Sequence, residues 1–190
     1  MTEFEQYIKS YFGIVQAEDL KNIVSFFKLK TIQKGKFLLK PNSLCDKLCF
    51  VESGLLRTFT TTDTKEITLW ISRKGYFSAD ISSFVFETVS RWAIQALVDT
   101  EVYIITKENY NKIGTLVQKW TEFEKTFTIS CFSVLEERIF SHLSMTAEER
   151  YEEYFQQNRE LFNQVPLQYI ASFLGMTPET FSRIRKKQLM

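Results

Sequence analysis

The sequence predicts an α+β protein: an antiparallel β-roll of jelly-roll type, one long helix, and a small all-helical unit at the end. Three observations predict it. An apolar period of three and four residues over positions 2–28 gives way at Leu29 to short β-favouring runs cut by turn residues. From Lys107 the helical period returns and holds through Leu143. Residues 146–190 then carry helix caps, a turn glycine and a basic end.

The first helical stretch contains Phe4, Tyr7, Ile8, Tyr11 and Phe12, and a second contains Leu20, Ile23, Val24 and Phe27. Gly13 separates them, and Gln16 to Asp19 offer a new start. The β-like runs that follow are divided at Lys34-Gly35, Pro41-Asn42-Ser43, Ser53-Gly54, Thr62-Asp63 and Lys74-Gly75. Strand-sized runs at this spacing, with no long helical pattern between them, predict an antiparallel barrel or sandwich. "ISSFVFETVSRW" reads as a gap, after which "AIQAL" and "EVYIIT" supply two more strands. The later helical run includes Ile113, Leu116, Val117, Trp120, Phe123, Phe127, Cys131, Val134, Leu135, Ile139 and Leu143. That is very apolar for a helix covered on one side, so two buried faces are expected, one on the roll and one on a second copy of the chain. Thr146 and Glu149 form a capping box for the next helix, a turn is expected around Phe162 to Val165, and another helix starts near Pro166.

The composition narrows the classes. With 44% apolar and 25% charged residues in 190, the chain suits one large domain or a medium and a small one. Net charge is +1, so nucleic acid is neither favoured nor disfavoured overall. Locally, Arg183, Arg185, Lys186 and Lys187 face a single acid, Glu179, in the terminal segment. No basic-then-apolar leader opens the chain and no apolar run is long enough to span a bilayer, so no membrane is expected. Cys45, Cys49 and Cys131 lack disulfide-framework spacing, which fits a reduced, cytoplasmic setting. With His142 as the lone histidine, zinc and iron–sulfur sites lack ligands, so no metal is expected. There is no Ser/His/Asp order and no phosphate-cradling glycine loop, and an enzyme is not expected.

"SFLGMTPETFSRIRKK", Ser172 to Lys187, has the residue types of a helix-turn-helix. Ile170 and Leu174 give the first helix an apolar stripe, and small Ala171 admits the second helix. Gly175 suits a turn with positive φ. Met176, Phe181 and Ile184 fill the angle, while Thr177-Pro178 is a hydroxyl cap followed by proline at the first helical position. The outward face then carries Thr177, Glu179, Thr180, Ser182, Arg183 and Lys186. Arginine can bond guanine bidentately, glutamate can accept from cytosine, and hydroxyls bond phosphates or base edges. The plainer reading of Glu179 and Arg183, four apart, is a surface ion pair worth about 0.3–0.5 kcal/mol.

Roll, long helix and terminal helix-turn-helix together resemble the Crp/Fnr family of bacterial transcription regulators. The likeness is carried by "LLKPNSLCDKLCFVESGLLRTF" (38–59), "RKGYFSADISSFV" (73–85) and "QYIASFLGMTPETFSRIRKK" (168–187). It implies residues 1–110 as a cyclic-nucleotide-binding-like roll with N-terminal helices, 111–145 as a dimerisation helix and 146–190 as a DNA-binding domain. It implies double-stranded DNA, a second copy of the chain and RNA polymerase as partners. By resemblance Glu179 and Arg183 fall on base-reading positions, and Phe77, Ala79, Asp80, Ser90 and Arg91 fall in the ligand cassette. The sequence departs from the cyclic-AMP-binding pattern there. Ala79-Asp80 stands where such members have Gly-Glu, Arg91 is one residue out of place, and Phe84, Phe86 and Trp92 are expected to fill the pocket. The expected effector is thus a different small molecule, or none, rather than a cyclic nucleotide. Asn42 replaces a turn glycine and tolerates the left-handed region. The sequence stops soon after the second helix, so the family's terminal strand and wing contacts are expected to be missing. A homodimeric regulator of palindromic DNA is the reading these features favour. The alternative is a cyclic-nucleotide-binding sensor module whose helical tail contacts another protein.

Overall fold

The computed structural model describes residues 1–14 and 16–188. Helix α1 (Glu3–Phe12) starts in a capping box in which Thr2 Oγ1 accepts from the Glu5 backbone and the Glu5 carboxylate accepts from the Thr2 backbone. Gly13 ends it at φ 67°, and α2 (Ala17–Ser25) follows. The β-roll consists of β1 (Lys28–Ile32), β2 (Phe37–Leu39), β3 (Lys47–Ser53), β4 (Leu56–Thr61), β5 (Glu66–Ser72), β6 (Phe77–Ser78), β7 (Ala93–Ala96) and β8 (Thr100–Thr106). They form two four-stranded sheets, ordered β1-β8-β3-β6 and β2-β7-β4-β5. In the first sheet the antiparallel register sets Leu48 against Ile105 and Phe50 against Tyr103. Two turns carry residues that their backbone favours. Asn42 takes the left-handed conformation at φ 61° where the resemblance expected a glycine. At Gly54 (φ 87°) a Cβ would lie 2.6 Å from Thr100 Oγ1 and 2.7 Å from the Asp99 carbonyl, so nothing larger fits.

By contacts the chain divides into two compact units, Met1–Thr58 with Ile71–Ser133, and Phe59–Trp70 with Val134–Met190. The core of the first is built on α1. Phe4 stacks on Tyr103 at 3.9 Å, and Phe12 stacks on Phe127 at 4.7 Å and on Trp120 at 5.4 Å. Ile8, Leu48, Cys49, Phe50, Val51, Ile94 and Ile105 are fully buried around them. Cys45 and Cys49 are core thiols, and burial pushes both up from the ordinary range.

Three expectations need correction. The "gap" at 81–92 begins with a short helix, α3 (Ile81–Phe86), which Asp80 caps by accepting from the Ser83 backbone at 3.2 Å. The long apolar run is two helices, α4 (Lys107–Leu116) and α5 (Trp120–Ser144). Val117 adopts an extended conformation between them, and the bare Gly114 leaves room for the Trp120 indole, which a Cβ would approach to 3.4 Å. Because Ile113, Val117, Trp120, Phe123 and Phe127 are all buried, the apolar period runs unbroken through a real turn of the chain. The expected turn at 162–165 contains a short helix, α7 (Leu161–Gln164), after α6 (Ala147–Gln157).

In the second unit α6 starts from the Thr146–Glu149 capping box expected from sequence. Next come α8 (Leu167–Phe173) and α9 (Pro178–Gln188). Tyr151 of α6 meets Phe162 at 5.7 Å and Phe181 at 5.2 Å, and this ring cluster with Leu161, Val165 and Ile170 forms the unit's core. Among the described residues no helix is long and apolar enough to cross a membrane.

Candidate nucleic-acid interface

The α8–turn–α9 hairpin is locked by the residues its sequence assigned to that task. Ile170, Ala171, Leu174, Met176, Phe181 and Ile184 are all buried. Gly175 sits at φ 70° in the turn, where a Cβ would lie 3.4 Å from the His142 ring. Thr177 Oγ1 accepts from the Thr180 backbone at 3.2 Å and so caps α9, with Pro178 at its first position. Arg150 of α6 ties the turn from the other side: its Nε donates to the Leu174 carbonyl at 3.1 Å and its Nη1 to that of Met145 at 2.7 Å.

With one face of α9 consumed, the opposite face is fixed by helical geometry. Thr177, Glu179, Ser182, Arg183 and Lys186 are exposed, and Thr180 is half-buried. Glu179 and Arg183 are not paired with each other, so the plain ion-pair reading is not realised among the described residues. The Glu179 carboxylate is instead held below its usual range by its own backbone N–H and then by the Thr177 hydroxyl, at the N-terminus of α9. The basic end divides. Lys187 pairs with Glu148 at 3.0 Å and Gln188 donates to Glu152, which anchors the end of α9 to α6, while Arg183 and Lys186 face solvent. An exposed helix face with one guanidinium, one carboxylate, one ammonium and two hydroxyls has the chemistry to contact base edges and phosphates together.

The residues of the expected ligand cassette do not converge. Phe77 is half-buried against the core, in ring contact with Phe127 at 5.0 Å, Tyr11 at 5.2 Å and Phe50 at 5.3 Å. Ala79 packs against the same core. Asp80 is the cap of α3, and buried Ser90 bonds the Trp92 backbone in both directions, at 3.0 Å and 3.2 Å. Arg91 is exposed with its guanidinium 4.7 Å from the Trp92 ring. Of the three aromatics expected to fill the pocket only Phe84 is buried, edge-on to Tyr110 at 5.3 Å; Phe86 is 72% exposed and Trp92 half-buried. Two residues along α3 turn a side chain by more than half a circle, so Phe84 and Phe86 cannot share a side. A cavity in the roll, lined by Leu38, Leu39, Cys45, Asp46, Lys47 and Ile94, measures about 10 Å³, the space of one water molecule. A cyclic phosphate needs a bidentate guanidinium and open N–H groups. Here a carboxylate caps α3 and the arginine sits over an indole at 4.7 Å, so these residues do not fit that group.

Sequence reading missed Arg138 and Arg150, whose partners are backbone carbonyls. The one available signal was a lone arginine in the strongly apolar second half of α5.

Residues 29–114 match the family model of the cyclic nucleotide-binding domain. No curated sequence shows a significant match. Among solved structures, the chain is similar to FixK2 from Bradyrhizobium japonicum, at TM-score 0.69 and 17% identity over 85% of this chain and 83% of that one. It is also similar to the c-di-GMP responsive global regulator CLP of Xanthomonas campestris, at TM-score 0.66 and 13% identity over 92% of each chain. A third is the catabolite activator protein of Thermus thermophilus, at TM-score 0.59 and 20% identity over 93% of this chain and 85% of that one. The chain thus carries a cyclic nucleotide-binding domain fold within the α+β architecture of the Crp/Fnr-type transcription regulators it resembles.

Proposed function

We propose that this chain is a homodimeric transcription regulator that reads palindromic double-stranded DNA through α9. The observation that carries the reading is the exposed face of α9, where Glu179, Ser182, Arg183 and Lys186 stand on a helix whose other face is locked by Phe181 and Ile184. By the resemblance Thr177 and Ser182 would face the phosphate backbone or base edges, with Thr180 beside them at the helix start. The exposed face of α5 from Ile129 onward supports a dimer. Ile129, Phe132, Leu135, Ile139, Phe140 and Leu143 are between 46% and 83% exposed, an apolar stripe that a second copy would cover. In this reading 1–110 would act as sensor roll, 111–145 as dimer-forming segment and 146–190 as reading head, with RNA polymerase as the partner such a regulator would address.

Selection of duplexes from a random pool by the purified chain, followed by gel shift, tests the reading. An inverted repeat with half-site centres about 34 Å apart is the expected product. Recovery of no preferred sequence would end the proposal. The roll controls the head through a signal other than a cyclic nucleotide, because Asp80 and Arg91 are otherwise engaged.

A further inference from the structure

Arg138 stands out within the second unit. It lies on α5 between two rings, its guanidinium carbon 5.2 Å from the Trp70 centroid and 4.2 Å from that of Phe173. Its fork reaches two backbone carbonyls: Nη1 donates to Leu69 on β5, and Nη2 to Phe173 at the end of α8 at 3.0 Å. The Phe173 carbonyl belongs to the last turn of α8, whose carbonyls lack intrahelical donors and welcome a cation. Beside it, Ser172 Oγ accepts from the Thr68 backbone at 2.9 Å and donates to the Glu66 carbonyl at 3.3 Å. Strand β5 is the last of its sheet, so the serine hydroxyl serves backbone groups that another strand would otherwise pair. Trp70 and Phe173 also meet edge-on at 5.8 Å.

The arrangement is expensive for a purely structural contact. Burial pushes the Arg138 guanidinium down to about 10, still charged at neutral pH. An apolar side chain would fill the same place without the desolvation cost, so a half-buried charge here is weak evidence of a stability role. What the guanidinium supplies and an apolar residue cannot is direction. A planar fork held between two rings fixes both carbonyls at once.

We propose that Arg138 is a positioning residue of the reading head: it locks the β4–β5 hairpin segment Phe59–Trp70 onto the end of α8, and thereby sets how α9 is presented. The proposal rests on the DNA-reading function above and names one element through which the head is held. With the lock closed the outward face of α9 is exposed, so the lock orients the head rather than masking it. Once released, α9 stays folded on Phe181 and Ile184 but samples more orientations. Specific binding then carries an ordering cost that non-specific binding does not.

The test uses the full chain and Arg138→Lys, which keeps charge and stem but not the planar fork. Two duplexes are compared, one selected by the wild-type chain and a scramble of it. Affinity for the selected duplex is expected to fall about tenfold, the loss for one charge-assisted hydrogen bond. Affinity for the scramble and the salt slope should stay unchanged. Ser172→Ala, a milder break, is expected to lose about threefold in the same direction, as for one neutral hydrogen bond. In chains labelled with 5-fluorotryptophan, the ¹⁹F resonance lost in Trp70→Phe marks Trp70; it should shift in Arg138→Lys while those of Trp92 and Trp120 hold. An unmoved Trp70 resonance overturns the lock. A moved resonance with an unchanged ratio of selected to scrambled affinity overturns the positioning role. If the wild-type chain selects no duplex, the functional reading fails on its own, and the Trp70 resonance still decides for or against the lock.

Discussion

Arg183 is the residue whose loss should be most informative. It is the one arginine among the exposed residues of α9 and pairs with no carboxylate among the described residues, and Glu179 is engaged with its own backbone N–H and Thr177. Arg183→Ala is expected to cost about 1–3 kcal/mol on the preferred duplex and to relax preference at one base position, checked by repeating the duplex selection with the variant. Equal loss on every sequence would reassign Arg183 to phosphate contact. Gly175 belongs to the same scale. At φ 70°, with the His142 ring 3.4 Å from a would-be Cβ, Gly175→Ala should destabilise the second unit by about 1–2 kcal/mol, read by urea unfolding. These positions were legible in the sequence because each demands a residue type: small at Ala171, positive φ at Gly175, a hydroxyl before Pro178. Arg138 was not, because its hydrogen-bond partners are the backbone carbonyls of Leu69 and Phe173, which any residue could provide.

The elements divide by how local their causes are. Strands β1 to β5 lie between the turns the sequence marked, since positive φ at Gly35, Asn42, Gly54 and Gly75 is a local demand. The break between α4 and α5 escaped because its cause is tertiary. Val117 and Trp120 are both buried, so the apolar period carries through the turn, and the indole packs beside Gly114, where a Cβ would lie 3.4 Å from it. The same helix supports two contrasting predictions. Phe127 stacks on Phe12 at 4.7 Å in the first core, so Phe127→Ala should cost about 3–5 kcal/mol of stability by chemical denaturation. Ile139 is 60% exposed in the single chain, so Ile139→Glu should leave the chain folded but convert a dimer to a monomer in sedimentation velocity. A dimer that survives Ile139→Glu would place the interface elsewhere than the apolar stripe of α5.

At the scale of the whole molecule, the resemblance and the side chains point in different directions about the signal. The fold over residues 29–114 is that of a cyclic nucleotide-binding domain, yet its cassette positions are spent internally. Phe77 supports the core, Asp80 caps α3, Ser90 bonds the Trp92 backbone, and Arg91 rests on the Trp92 ring. Fold could be inferred from the pattern of turns and apolar runs, whereas pocket chemistry depends on where individual side chains end up, as Phe84 and Phe86 on opposite sides of α3 make plain. The consequence is measurable by linkage. A ligand that binds only the native state stabilises it by about 2.7 kcal/mol when present at about a hundred times its dissociation constant. For a chain of this length each kcal/mol raises the melting temperature by about 2–4 °C. Cyclic AMP or cyclic GMP at about 1 mM, binding with a dissociation constant of about 10 μM, would thus shift Tm by about 5–10 °C by the same linkage. The expected result in differential scanning calorimetry is no shift with either nucleotide. A shift of that size would mean that Arg91 leaves Trp92 and that the α3 cap opens to admit a phosphate. Arg91→Ala should then abolish the shift, and the roll would be a nucleotide sensor after all.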